Sequence, residues 1–208
     1  EHAQTYMQIK VGSDVALING MMHVLITEEL YDRDYVMANT VGFDELREVV
    51  MQYPPERASG ISGVPADTIR AVARKMAAVR PSMLMYTLGI TEHTCGVNNV
   101  LSCANLQMLL GNVGVEYGGV NPLRGQNNVQ GPCDMGALPA DYPGYQKVTD
   151  PAARAKFSQA WGVELPDTPG LMIPDMIDGL ENGSIKALYV FGENIANTEP
   201  DIGHVEHC

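Results

Sequence analysis

Positive charge is scarce in this sequence, which has 13 Lys and Arg against 25 Asp and Glu in 208 residues and a formal net charge of −12. Charged residues of both signs make up 18% of the chain, below the roughly 25% typical of soluble domains. Nucleic acids and anionic membranes are themselves negative, so neither gains from meeting such a surface. We therefore expect no nucleic-acid partner, although one local cationic site for a small anion is compatible with this charge.

Close cysteine pairs are also missing. Cys95, Cys103, Cys133 and Cys208 stand too far apart for the short spacings that zinc and iron–sulfur sites use, so we expect four reduced thiols. The last residues include His204, His207 and Cys208, which are metal-binding types, but no second pair lies near them in sequence. A solvated chain end is the expectation there.

The order of elements predicts an α/β protein with layered helices and strands. A largely buried helix is expected over Val15 to Leu30, after possible cap residues Ser13 and Asp14. Short apolar runs at Ser82 to Leu88 and at Ile185 to Phe191 predict buried strands, each ending at a glycine. Further helices are expected at 34–38, 44–51, 65–80, 151–161 and 174–180, with the Pro54-Pro55 pair as an interruption.

Residues 94–115 contain no charged side chain. Asparagine and glutamine interrupt the apolar residues, so this stretch predicts a buried helix rather than a membrane span, and no direct membrane insertion is expected. The spacing of Val97, Leu101, Ala104 and Met108 indicates its packed face. In the preceding helix, Arg70, Arg74, Lys75 and Arg80 are interpreted as a solvated face, with an anion site as the alternative.

The long stretch from Gly111 to Gly136 is the most informative part of the chain, because irregular segments of this length are usually functional or disordered. It is nearly free of charge, which argues against disorder. Between Gly119 and Gly131 a single cation, Arg124, stands among glycines and side-chain amides. Such a segment suits recognition of an oxyanion. The alternative is a structural arginine that holds the loop through Asp134 or Glu116.

Two turns follow the expected strands, at 88–93 and at 192–198, where α/β proteins commonly bind ligands. Neither contains the G-x-G-x-x-G pattern of dinucleotide-binding domains. Each turn alone is a weak signal, since many such turns are only connections.

The string GVNPLRGQNNVQGPCDMG, from Gly119 to Gly136, resembles the molybdopterin oxidoreductases, and among them the catalytic (alpha) subunit of formate dehydrogenase. The resemblance extends to GSDVALINGMMHVLITEELYD from Gly12, LGITEH from Leu88, KFSQAWGV from Lys156 and YVFGEN from Tyr189. It therefore spans nearly the whole chain.

This resemblance implies an internal fragment of a longer subunit and a partial molybdopterin oxidoreductase fold built from Rossmann-like α/β units. Residues 1–126 would be the C-terminal part of one α/β domain that binds molybdopterin guanine dinucleotide, and residues 127–208 part of the second. The cofactor would be bis(molybdopterin guanine dinucleotide) with molybdenum or tungsten. A 4Fe-4S cluster would lie in an N-terminal domain outside this chain, as would the metal ligand, so the fragment alone should be inactive.

The same resemblance implies roles for individual residues. Arg124 matches the arginine that holds the formate carboxylate, and Gly125, Gln126 and Asn127 match residues that touch the pterin. Leu88, Gly89 and Glu92 match positions lining one cofactor moiety, with Glu92 standing where Gln is common. Positions near a guanosine end are matched by Gly192, Glu193, Asn194 and Thr198.

The implied reaction is oxidation of formate to carbon dioxide, or its reverse, with electrons passing to an iron–sulfur or flavin subunit of a larger complex. A nitrate-reductase-like enzyme on the same scaffold and a non-catalytic cofactor-binding scaffold are the alternatives. Localisation is expected to be cytoplasmic by default, with export left open.

Overall fold

The computed structural model describes residues 3–208, which divide into two compact units: one runs to Gly125 and the other from Gln126 to Cys208. Helices and short strands alternate, which confirms the expected α/β class. The first unit contains α1 (Asp14–Thr27), α2 (Arg33–Asn39), α3 (Phe43–Val50), α4 (Pro55–Ser62), α5 (Ala66–Ala78), β1 (Met83–Tyr86), α6 (Leu88–Thr91), α7 (Gly96–Leu109) and β2 (Gly119–Pro122). The second contains α8 (Gln130–Asp134), β3 (Asp141–Tyr142), β4 (Gln146–Lys147), α9 (Pro151–Trp161), α10 (Ile173–Glu181), α11 (Ile195–Thr198) and α12 (Ile202–His207).

Helix α1 is the centre of the first unit, and it is largely buried as its two apolar faces predict. Helices α4, α5 and α7 pack around it. The ring Nδ1 of its His23 donates a hydrogen bond to the carbonyl oxygen of Val50 at 3.2 Å, so this histidine is a structural one.

The proline pair before α4 starts a helix rather than only interrupting the chain. Pro55 occupies the first turn of α4 and is buried, a position where the missing N–H of proline costs nothing. In α5, the apolar residues Ile69 and Ala73 are buried.

The arginines of α5 and its C-terminal end pair with carboxylates of the same unit. Arg74 makes two 2.8 Å hydrogen bonds to Glu28, and Arg70 pairs with Glu56. These contacts lower the pKa of both glutamates, in each case chiefly through the hydrogen bond from the arginine. The arrangement favours the solvated face over an anion site.

Helix α7 forms where it was expected, but the predicted packed face was wrong. Val97 is 75% exposed and Leu101 54% exposed. The buried face instead carries Asn99, Ser102, Cys103, Leu106, Gln107 and Leu109. Its polar members can be buried because hydrogen bonds satisfy most of them, as when Asn99 Nδ2 donates to the Ile90 carbonyl oxygen at 2.9 Å.

Strands β1 and β2 form a parallel pair in which Met83 is opposite Gly119 and Tyr86 opposite Pro122. The expectation of a fully buried strand was wrong for β1, because Met83 and Met85 are exposed and only the alternate residues face the core. A strand with one packed face alternates in this way.

A small aromatic core lies in the second unit, where Tyr142 packs against two rings of α9, tilted against Phe157 and edge-to-face against Trp161. The predicted strand over Ile185 to Phe191 is not formed, because the segment has no partner strand in the described part of the chain. A strand needs a neighbour for its backbone hydrogen bonds, and no other strand pairs with this segment among residues 3–208. Tyr189 and Phe191 are 92% and 88% exposed.

Among the described residues, no helix is both long and apolar enough to cross a bilayer.

Candidate cofactor-binding edge

Two of the candidate segments leave the first unit at the same edge of its sheet. Because β1 and β2 are parallel, their carboxyl ends lie side by side. The Leu123 N–H donates to the Tyr86 carbonyl oxygen at 2.7 Å, which extends the pairing to the last residue of β1. The turn containing Leu88 and the segment containing Arg124 therefore begin next to each other.

The turn after β1 is the single helical turn α6. The Glu92 N–H closes it by donating to the Leu88 carbonyl oxygen at 2.8 Å, and a ring nitrogen of His93 lies 3.0 Å from the Gly89 carbonyl oxygen. Helix α7 also fixes this turn, since its Asn99 bonds to Ile90. Leu88, Gly89 and Glu92 are all exposed, so the turn presents a fixed backbone to solvent.

The segment after β2 carries Arg124, which is exposed. A Cβ added to Gly125 would meet no heavy atom within 4 Å, so its backbone is open to a ligand. In β2 itself, Asn121 Nδ2 is buried and finds no acceptor among residues 3–208. A buried donor without a partner is costly and calls for an explanation. No Asp or Glu occurs between Gly119 and Gln130.

A cluster of polar side chains fixes the opposite end of β1, where the strand begins. Asn112, directly after α7, donates from Nδ2 to Ser82 Oγ at 2.8 Å and to Gln107 Oε1 at 2.7 Å. Its Oδ1 accepts from the Ser82 N–H at 3.2 Å. The start of β1 is thereby tied to the end of α7, which sets where the turn after β1 emerges.

Gln126 and Asn127 follow Arg124 after one glycine, are exposed, and begin the second unit. Shortly after them, Gln130 Nε2 and the Tyr145 hydroxyl both donate to Asp134 Oδ1 at 2.8 Å. These two hydrogen bonds lower the pKa of Asp134, and the bond to Asp134 raises the pKa of Tyr145.

The remaining candidate residues share one turn of the second unit. Gly192 has a positive φ of 71°, and Asn194 precedes the one-turn helix α11. Thr198 donates from its N–H and from its hydroxyl to the Asn194 carbonyl oxygen, at 3.1 and 3.2 Å. Glu193 accepts from the Asn194 N–H at 3.3 Å. All four of these residues are exposed.

The candidate residues thus form two groups, one in each unit. Leu88, Gly89, Glu92, Arg124 and Gly125 lie at the sheet edge of the first unit. The others lie at two separate places in the second unit, with Gln126 and Asn127 at its start and Gly192, Glu193, Asn194 and Thr198 in the 192–198 turn. Asn121 was missed as a candidate, although its place three residues before Arg124, in the segment rich in glycines and amides, could have drawn attention to it.

Comparison with known proteins identifies the class. The profile of the family described as Molybdopterin oxidoreductase matches residues 1–208. The chain belongs to the molybdopterin oxidoreductase family.

Three formate dehydrogenase chains are similar to this chain along nearly its whole length. The F420-dependent formate dehydrogenase 1 subunit alpha of Methanococcus maripaludis is 45% identical over 100% of this chain, and formate dehydrogenase H of Escherichia coli is 46% identical over 98%. The F420-dependent formate dehydrogenase subunit alpha of Methanocaldococcus jannaschii is 46% identical over 99%. This chain spans only 30%, 28% and 30% of those three relatives, in that order.

Among solved structures, acetylene hydratase from Pelobacter acetylenicus matches 52% of this chain and 15% of its own, with 32% identity and a TM-score of 0.48. That likeness is too partial to support a functional conclusion.

The residues at the sheet edge suit the cofactor that the family implies. A molybdopterin carries anionic phosphate and a ring edge that hydrogen bonds. The edge offers one exposed guanidinium and an open glycine backbone. Asn121 of β2 adds a buried amide donor that has no acceptor among residues 3–208. These donors suit an anionic ligand, whereas Glu92, in the turn after β1, places one carboxylate at the same edge.

Proposed function

We propose that this chain is part of a molybdopterin-dependent formate dehydrogenase, in its catalytic subunit, which interconverts formate and carbon dioxide. The observation that carries the proposal is the place of Arg124: it directly follows β2, at the edge where the turn after β1 also emerges. The similarity to three formate dehydrogenase chains along nearly the full length of this one supports the same assignment.

Arg124 would hold formate. Its guanidinium is planar and presents paired N–H donors that match the two oxygens of a carboxylate. Because Gly119 to Gln130 contains no Asp or Glu, a negatively charged substrate meets no carboxylate within this segment. A fixed cation that is in place before the substrate binds costs no reorganisation during the reaction.

The cofactor would be bis(molybdopterin guanine dinucleotide) with molybdenum or tungsten, which supplies the two-electron redox chemistry when bound. Leu88, Gly89 and Glu92 would line one of its moieties, while Gly125, Gln126 and Asn127 would contact the pterin. The turn with Gly192, Glu193, Asn194 and Thr198 would lie near a guanosine end. The protein's part is to bind, to orient and to exclude competing anions.

The two units would belong to two α/β cofactor-binding domains of the longer subunit. A 4Fe-4S cluster would be held by residues outside this chain, and electrons would pass to an iron–sulfur or flavin subunit. We propose a cytoplasmic location as the default.

The test is an assay of the intact subunit that carries this chain, purified without oxygen and supplied with an artificial electron acceptor or donor. Formate-dependent reduction of the acceptor, together with about one molybdenum or tungsten per subunit, is the expected result. Turnover of nitrate without turnover of formate would favour a nitrate-reductase-like enzyme. Absence of both metals from a correctly folded subunit would favour a cofactor-binding scaffold.

A further inference from the structure

A mixed cluster of potential metal ligands lies in the second unit, outside the turns considered above. Asp178 and Glu181 are three residues apart on α10, and His204 is on α12. One donor atom from each of the three lies within 4.8 Å of the other two. Residues three or four apart on a helix project from the same face, so the two carboxylates meet the facing helix together.

The distances approach those of a metal site. His204 Nε2 lies 3.3 Å from Glu181 Oε2 and 3.8 Å from Asp178 Oδ1. In a tetrahedral zinc site with bonds of about 2.0–2.1 Å, neighbouring ligand atoms are roughly 3.4 Å apart. The first distance fits this value and the second requires a side-chain movement of only a few tenths of an ångström.

Cys208 is the candidate for a fourth donor. Cys208 follows His204 by four residues, and its N–H donates to the His204 carbonyl oxygen at 3.1 Å, which continues the helical turn. Residues four apart on a helix share a face, so Cys208 lies on the side of α12 that carries His204. Its sulfur is not among the donor atoms that lie within 4.8 Å of one another, so the side chain would turn toward them to bind an ion. Burial raises the pKa of this thiol, and Glu181 and Asp178 raise it further. The pattern is therefore two ligands from each of two facing segments.

No Lys or Arg of residues 3–208 forms an ion pair with Asp178 or Glu181, whose only ion-pair partner there is His204. Their side chains are 65% and 54% exposed, so an ion can enter without rearrangement of the core. Two carboxylates on one histidine leave an excess of negative charge, which a divalent cation would neutralise.

We propose that Asp178, Glu181 and His204 bind one zinc ion, with the Cys208 thiolate as the fourth ligand. Imidazole, carboxylate and thiolate together suit zinc better than magnesium or calcium, which prefer oxygen ligands alone. With four protein ligands the site is structural. It joins α10 to α12, and through α12 it steadies α11, which packs beside it.

The test uses the longest polypeptide in which this chain occurs, treated with a weak chelator and then dialysed against micromolar zinc. We expect His204→Ala and the isosteric Glu181→Gln each to lose one zinc per chain, or to bind that zinc at least tenfold more weakly. His207→Ala is the matched control, since His207 is an exposed histidine of the same helix outside the cluster. It should bind as the unmodified protein does.

Cobalt substitution tests the thiolate separately. The cobalt form should show a thiolate-to-cobalt charge-transfer band that Cys208→Ser abolishes. Equal zinc content in the unmodified protein, His204→Ala and Glu181→Gln would overturn the proposal, as would equal losses in His207→Ala and His204→Ala. A charge-transfer band that persists in Cys208→Ser would overturn the assignment of Cys208. Helical circular dichroism distinguishes loss of a ligand from loss of folding, and Glu181→Gln keeps the side-chain shape.

Discussion

A Cβ added to Gly20 would stand 2.5 Å from the Cβ of Ala58. Gly20 lies in the middle of α1, and Ala58 is a fully buried residue of α4. Real Cβ atoms do not approach so closely, so the absence of a side chain at Gly20 sets the spacing of these two helices. The close approach lets α4 cover the central helix.

Gly20→Ala should therefore destabilise the first unit, although alanine favours a helix more than glycine does. The helix preference is worth about 0.5–1 kcal/mol, whereas forcing extra volume into a packed core typically costs about 1–3 kcal/mol. Because Ala58 is short and cannot rotate away, the helices themselves must move. Urea titration of the free energy of unfolding measures the effect.

Gly60→Ala is the control. Gly60 lies within α4, is exposed, and has no heavy atom within 4 Å of the new Cβ. We expect this substitution to stabilise by about 0.5–1 kcal/mol. A stabilising Gly20→Ala would show that α1 and α4 are farther apart than described.

The buried amide of Asn112 should matter more than an exposed one. Asn112→Ala removes its bonds to the half-buried Ser82 and the buried Gln107 and leaves groups of both without these partners, at a cost of about 1–3 kcal/mol. Asn39→Ala, at the exposed end of α2, should change the stability by no more than about 0.5 kcal/mol. Hydrogen exchange should show the loss of protection concentrated in β1 and the end of α7. Equal effects of the two substitutions would contradict a role for Asn112 in placing β1.

The sequence predicts features that depend on neighbours along the chain. The helix after Ser13 needs only its own apolar periodicity, and the turn after β1 follows from the end of an apolar run. Strand β2 was not predicted, because Gly119–Pro122 lies in a stretch expected to be irregular and becomes a strand by pairing with the distant β1. Prediction from the sequence fails where a residue's environment is set by a packing or hydrogen-bonding partner elsewhere in the chain. Val97 and Leu101 have the spacing of a packed face, yet Asn99 faces inward because Ile90 supplies an acceptor.

The same limit explains two other outcomes. Tyr189 and Phe191 have strand-forming residues around them, but no hydrogen-bonding neighbour lies beside them in the described residues. His204 looked isolated at the end of the sequence, and only folding brings Glu181 to it from 23 positions away. Sequence periodicity shows which residues share one face of a helix or strand. Whether that face is buried, and which residues complete a ligand set, depends on what the fold places opposite it.

Glu92→Gln should strengthen retention of the proposed cofactor in the intact subunit. Glu92 is exposed at the sheet edge, where an anionic dinucleotide would meet its carboxylate. Removing the like charge while keeping the shape should slow cofactor release about threefold to tenfold at low salt. Glu116→Gln, an exposed glutamate outside the turn after β1, is the control and should have no effect. Release is measured from the pterin fluorescence of the filtrate, and the difference should shrink as salt is added. A Glu92→Gln protein that loses cofactor faster would show that the carboxylate accepts a hydrogen bond from it.

Arg124→Ala should impair formate oxidation in the intact subunit without emptying it of cofactor. Loss of the paired donors removes contacts to the formate carboxylate, so we expect a higher KM and a kcat lowered by more than tenfold. Arg124→Lys keeps the charge but presents no planar fork, so it should recover part of the lost kcat/KM and not all of it. Steady-state kinetics with formate, at matched metal and pterin content, measure both effects. If the alanine variant keeps its cofactor and unchanged formate kinetics, Arg124 does not bind the substrate. If it loses the cofactor, the guanidinium acts on the pterin instead, since the carboxylate-free segment around it would hold either anion.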